Sequence, residues 1–120
     1  MGRYYTGDIE GKFWFGVQPS TAPAHLGACE THITYSFSDS EDLLRRINQL
    51  RKEMGKDFDK LERFFANNTY YSEEDLEKEL GATPERVRTV LGLYADYKLG
   101  EKVYNYMQKN DGYCEIVAEL

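Results

Sequence analysis

The residues best equipped for chemistry lie between positions 25 and 32. His25, Cys29 and His32 fall within that stretch, which holds both histidines and one of the two cysteines of the chain. Imidazole and thiolate together suit zinc, the spacings can reach one ion, and Cys114 would complete a tetrahedral set. A paired CxxC is missing, however, and a strand would put Cys29 and His32 on opposite faces. The competing expectation is therefore a buried apolar Cys29, a solvent-facing His32 and a loop His25.

Asp8 and Glu10, in TGDIEGKFWF close to Tyr4, Tyr5 and Trp14, offer a second chemistry. Paired carboxylates against aromatic walls are what general acid-base catalysis uses. Carboxylates beside glycine are also ordinary turn residues at the entrance to a hairpin, and that is the favoured expectation. No GxSxG, GxxxxGK[ST] or GxGxxG occurs. The sequence therefore predicts a non-enzymatic chain, with zinc as the one cofactor that its residues suggest.

The stretch SEEDLEKELGATPERVRTVL, residues 72–91, resembles the helix-turn-helix of sigma-factor region four and many transcriptional regulators. Leu76 and Leu80 stand where the first helix is apolar, Gly81 is at the turn, and Val87 and Val90 are where the second helix packs back. The resemblance implies that Glu85, Arg86, Arg88 and Thr89 face a major groove. Two features depart from the pattern. Glu77 occupies a position where a small residue is preferred, and Glu73, Glu74, Asp75, Glu77 and Glu79 make the supporting helix anionic where it would cross phosphates.

The same acidic run suits a different partner. With Tyr70 and Tyr71 just ahead of it, the segment Glu73, Glu74, Asp75 and Glu77 can form a contact surface for a basic protein, since Tyr is favoured at interface hot spots. Tyr94, Tyr97, Tyr104 and Tyr106 add further rings that serve either a contact or the rim of a core. The opening GRYYTGDIEGKFWFGVQ is similar to the start of uncharacterised short proteins from phages and large DNA viruses. That likeness covers the first quarter of the chain and implies a viral accessory protein that regulates or inhibits a host protein in the host cytoplasm.

Two blocks of elements must position these residues. The first third is rich in Gly, aromatic and β-branched residues and reads as sheet. Residues 12–18 place Phe13, Phe15 and Val17 on one face, and residues 30–38 place Thr31, Ile33, Tyr35 and Phe37 on one face. The intervening QPSTAPAHLGAC is an ordered loop or a short helix. Gly112 precedes a last strand with Cys114, Ile116 and Ala118 inward.

From Ser38 onward the period becomes helical. Ser38 and Glu41 suggest a capping box before Leu43, Leu44, Ile47, Leu50 and Met54, and Gly55 ends that helix. Asp57 can cap a second helix carrying Phe58, Leu61, Phe64 and Phe65. Ser72 opens a third, Gly81 closes it, and Thr83-Pro84 opens the last. Its apolar stripe shifts near Gly100, where a kink or break is expected.

The sequence thus predicts an α+β fold, a small three-stranded antiparallel sheet packed against three or four helices. One domain spans 1–120, with sheet-forming segments 1–38 and 112–120 and a helical segment 39–110. The formal net charge of −6 opposes non-specific attraction to nucleic acid or anionic lipid. It is unevenly spread: residues 45–63 carry seven basic and four acidic side chains, whereas residues 72–85 carry six acidic ones and only Lys78. No apolar run approaches the length of a membrane span, and two cysteines are too few for a disulfide framework, so reduced thiols in a cytoplasm-like compartment are expected.

Overall fold

The computed structural model describes residues 4–9, 13–14, 22–31, 34–68 and 72–119. Alternating apolar residues near the two ends of the chain form strands β1 (Tyr4–Gly7), β2 (Phe13–Trp14), β3 (Cys29–Thr31), β4 (Thr34–Phe37) and β5 (Cys114–Glu119). These make one antiparallel sheet in the order β2-β1-β5-β4-β3. The last strand in sequence occupies the middle, with Ala118 opposite Tyr5 on one side and Ile116 opposite Tyr35 on the other. Burial follows the pleat: Tyr5, Tyr35, Phe37, Cys114, Ile116 and Ala118 point inward and are at most 2 % exposed.

The α+β class is as expected, and the sheet is wider than three strands. Residues 30–38 do not form one strand. Thr31 lies opposite Thr34 in antiparallel register, so the chain reverses between them and gives a hairpin of β3 and β4. That register shifts the alternation by one residue between the arms, so position 31 is in phase with Thr34 and not, as expected, with Tyr35 and Phe37; threonine suits either face, which is why the pattern did not show the reversal. His32 and Ile33, between the arms, lie outside the described residues. So do Lys12 and Phe15 to Gln18 of the strand expected over 12–18; what is described of it is β2. β1 is the strand that the sequence reading omitted.

The helices are α1 (Ala22–His25), α2 (Ser40–Met54), α3 (Lys56–Asn67), α4 (Glu73–Leu80) and α5 (Pro84–Lys109). α2 is capped by Asp39 in place of Ser38: the Asp39 carboxylate accepts the Asp42 N–H at 3.0 Å. Gly55 closes α2 as expected. Gly55 also opens α3, which leaves Asp57 inside the first turn and not at the cap. Thr83 caps α5 by accepting the Arg86 N–H at 3.3 Å, and Pro84 sits in the first turn.

α5 runs unbroken through Gly100, against the expected kink. Its apolar stripe shifts because the helix serves two cores. Val87, Val90, Leu91 and Tyr94 join Met54, Phe58, Leu61, Leu76 and Leu80 in a helical core, while Leu99, Val103 and Met107 join Leu26, Leu43, Ile47 and the inward sheet residues in a second. α2 packs tightly against Gly100, since a β-carbon there would lie 2.8 Å from Ile47 Cγ1. The glycine thus permits close packing without ending the helix. Among the described residues no helix is long and apolar enough to cross a membrane.

Candidate contact surface at the corner of α4 and α5

α4 is only eight residues long, so its ends decide whether it forms. Ser72 accepts the Asp75 N–H at 3.2 Å, which satisfies one of the free donors of the first turn. At the other end Gly81 adopts the left-handed conformation (φ 61, ψ 40), and the N–H of Ala82 donates to Glu77 O at 3.3 Å. The Lys60 ammonium reaches from α3 to the Leu80 carbonyl at 3.4 Å. Three residues, Gly81 to Thr83, then join α4 to α5.

Leu76 and Leu80, one turn apart, are buried at 0 % and 4 % exposure against α3 and α5. That burial fixes the rotation of the helix. Glu74, Asp75 and Lys78 fall on the opposite arc, Glu79 at one flank, and all four are exposed. Glu77 is half-buried at the other flank. None of these carboxylates has an ion pair among the described residues. Glu73 belongs to α4, with its side chain outside the described set, and Tyr70 and Tyr71 lie outside it altogether.

The four residues expected at a DNA groove divide. Glu85, Arg88 and Thr89 are exposed, and the Thr89 hydroxyl donates to Glu85 O at 3.0 Å. Arg86 turns the other way. Its guanidinium contacts the Asp57 carboxylate at 3.2 Å and donates to Glu53 O at 3.4 Å, tying α5 to the junction of α2 and α3. Residues two apart on a helix stand about 200° apart, so Arg86 and Arg88 cannot share one face. The basic residues of 45–63 are also partly engaged: Arg45 and Arg46 both pair with Asp42, and Arg51 lies over the Phe58 ring at 4.8 Å.

Aromatic residues supply the floor of this corner. Tyr94 stacks on Phe65 (5.6 Å between centroids, 13° between planes), and its hydroxyl donates to Glu62 at 3.0 Å. Burial and the Glu62 carboxylate raise the Tyr94 hydroxyl above its ordinary pKa, so it stays protonated and donating at neutral pH. Lys98 closes the group by pairing with Glu62 at 2.9 Å. Tyr94 is therefore core, and Tyr97, Tyr104 and Tyr106 are half-buried against the two cores. Sequence reasoning missed the Asp57–Arg86 and Glu62–Tyr94 contacts because their partners are 29 and 32 residues apart, with no local spacing to betray them.

The four residues of the expected zinc set are not gathered. Cys114 is inward, opposite Phe37, whereas Cys29 stands opposite Ser36, whose other neighbour is Glu115 on the outward side. The two thiols thus occupy opposite faces of the sheet. The expectation of a buried Cys29 also fails, because Cys29 is exposed and Cys114 is the buried one. Burial, with a smaller effect from Asp8, pushes the Cys114 thiol up to about 12, which disfavours the thiolate a metal requires. His25 is exposed at the end of α1, and His32 lies outside the described residues. Among the described residues no three His, Cys, Asp or Glu side chains form a group able to hold a metal ion.

No family model, curated protein or solved structure matches this chain.

Proposed function

We propose that this chain is a non-enzymatic binding module whose exposed α4 face meets a basic surface on a protein partner. One observation carries the reading: burial of Leu76 and Leu80 leaves Glu74, Asp75 and Glu79 in solvent, with no ion pair among the described residues to neutralise them. The capped ends of α4 and its separate core hold this face rigid, which lowers the ordering cost of binding. A cationic partner gains steering and specificity from such a face more than raw affinity. A viral accessory role, with a host protein as that partner, is compatible with the opening residues and rests on their resemblance alone.

Affinity capture from the native host background, after nuclease treatment, tests the reading when wild type is compared with Glu74→Lys/Asp75→Lys/Glu79→Lys. The expected result is a protein retained by wild type and released by the variant. A partner retained equally by both removes α4 as the contact.

The alternative reading is a helix-turn-helix DNA-binding regulator. It is supported by the three-residue turn and by α3 packed behind α4 and α5. It is opposed by the engagement of Arg86 with Asp57 and by the anionic α4. A salt-dependent mobility shift on duplex DNA is the result it requires.

A further inference from the structure

Gly7 ends β1 with φ +117, a conformation that L side chains avoid, and a β-carbon there would lie 2.6 Å from Glu115 O. The resulting turn brings Asp8 back onto β5. Asp8 N–H donates to Glu115 O at 2.8 Å, and one oxygen of its carboxylate accepts the Glu115 N–H at 2.8 Å. A side chain thus continues the ladder where the backbone leaves it. Ile9, 3 % exposed, anchors the next residue in the sheet core. The segment is held at both ends and forms one wall of a cleft.

The opposite wall is the solvent side of the last turns of α5, where Lys102, Asn105, Tyr106 and Lys109 follow the i, i+3, i+4, i+7 spacing of a single stripe. The space between the walls is ≈ 620 Å³. Small-molecule sites run to about 300–1,000 Å³, so a ligand of sugar-phosphate or nucleotide size fits.

The two lysines set the charge of that ligand. Both are exposed, and neither has an ion pair among the described residues, whereas Arg45, Arg46, Arg86 and Lys98 are each held by a carboxylate. Their flexible stems let both ammonium groups converge above Asn105 and Tyr106 on one phosphate. Asp8 adds a second requirement, since a bare anion beside it would be repelled. Its other carboxylate oxygen has no partner among the described residues and can accept from a hydroxyl. Burial, with smaller contributions from Asp8 and Cys114, raises the Tyr106 hydroxyl above its ordinary pKa, so that it remains a donor at neutral pH.

We propose that this cleft binds a small phosphate ester bearing hydroxyl groups, with its phosphate on Lys102 and Lys109 and a hydroxyl on Asp8. The site lies apart from α4 and does not depend on the contact surface there.

The test is a titration of the isotope-labelled chain, followed by amide chemical shifts, with ribose phosphate, inorganic phosphate and ribose at constant ionic strength. Ribose phosphate is expected to give saturable shifts at Gly7, Asp8, Ile9 and residues 102–109, with affinity at least about tenfold above that of inorganic phosphate. Lys102→Gln and Lys109→Gln each weaken it by about tenfold or more. Asp8→Asn keeps an oxygen for the Glu115 N–H but removes the preference for the ester over inorganic phosphate. Both lysines are exposed, so their variants keep the fold, which the spread of amide shifts reports. Absence of saturable shifts, equal binding of ribose alone, or an affinity untouched by both lysine variants overturns the proposal.

Discussion

At Gly100 the nearest atoms a β-carbon would meet are Ile47 Cγ1 at 2.8 Å, Ile47 Cδ1 at 3.2 Å and Leu26 Cδ2 at 3.4 Å. Alanine is the better helix former by about 1 kcal/mol, yet overpacking a filled core costs about 1–3 kcal/mol, so the clash wins. Gly100→Ala should lower stability to chemical denaturation, and the loss should shrink when Ile47→Ala removes the obstructing atoms. A double-mutant cycle measures that coupling; simple additivity would show that α2 does not pass as close as described.

A second prediction at this scale concerns pH. The Asp42 carboxylate is held below its ordinary 3.8, first by the hydrogen bond from Arg46 and also by Arg45, against an opposing effect of desolvation. Its folded pKa is the lower one, so the stabilisation is present above the unfolded value and fades as pH falls through the folded value. Wild type should therefore exceed Asp42→Asn in urea midpoint at neutral pH, and the gap should close as pH drops below 3.8. A gap that persists in acid would mean that the ion pairs contribute nothing.

Among elements, α4 is the one whose existence depends on its ends. Ser72→Ala removes the cap on the Asp75 N–H and should cost about 1 kcal/mol. Gly81→Ala meets no atom within 4 Å, so its cost, again about 1 kcal/mol or somewhat more, is purely that of a left-handed residue with a β-carbon. Thermal unfolding of the two variants measures both, and an unchanged midpoint for Gly81→Ala would contradict the assigned cap. These caps, together with Thr83-Pro84 and the inward face of β5, were legible because a cap or a pleat is written within a few residues. The hairpin of β3 and β4 was not, since Thr31 and Thr34 suit either face of a sheet and so conceal the change of phase between the arms. The continuity of α5 was not either, because a stripe that shifts from one core to another looks on paper like a break. The exposed carboxylates of α4 followed from the spacing of Leu76 and Leu80. The withdrawal of Arg86 from the same corner depended on Asp57, which the linear pattern could not pair with it.

For the molecule as a whole, two cores joined by one helix imply two levels of stability. The sheet core is centred on β5, which is paired on both sides, whereas α4 is a short helix held by Leu76, Leu80 and its caps. Leu76→Ala should cost about 2–5 kcal/mol locally and raise amide hydrogen exchange in α4 more than in β5. Equal acceleration in both would show that the two cores unfold as one. Charge follows the same division, because the net −6 is concentrated where the chain offers α4 to solvent.

The measurement that separates the protein-binding reading from the DNA-binding one is a pair of amide-shift titrations at matched low salt, with a lysine-rich peptide and with a DNA duplex. The peptide should move the amides of Glu74, Asp75, Lys78 and Glu79, with an effect that salt weakens, and the duplex should leave α5 unmoved. A duplex that shifts Glu85, Arg88 and Thr89, while the peptide leaves α4 in place, would contradict the account.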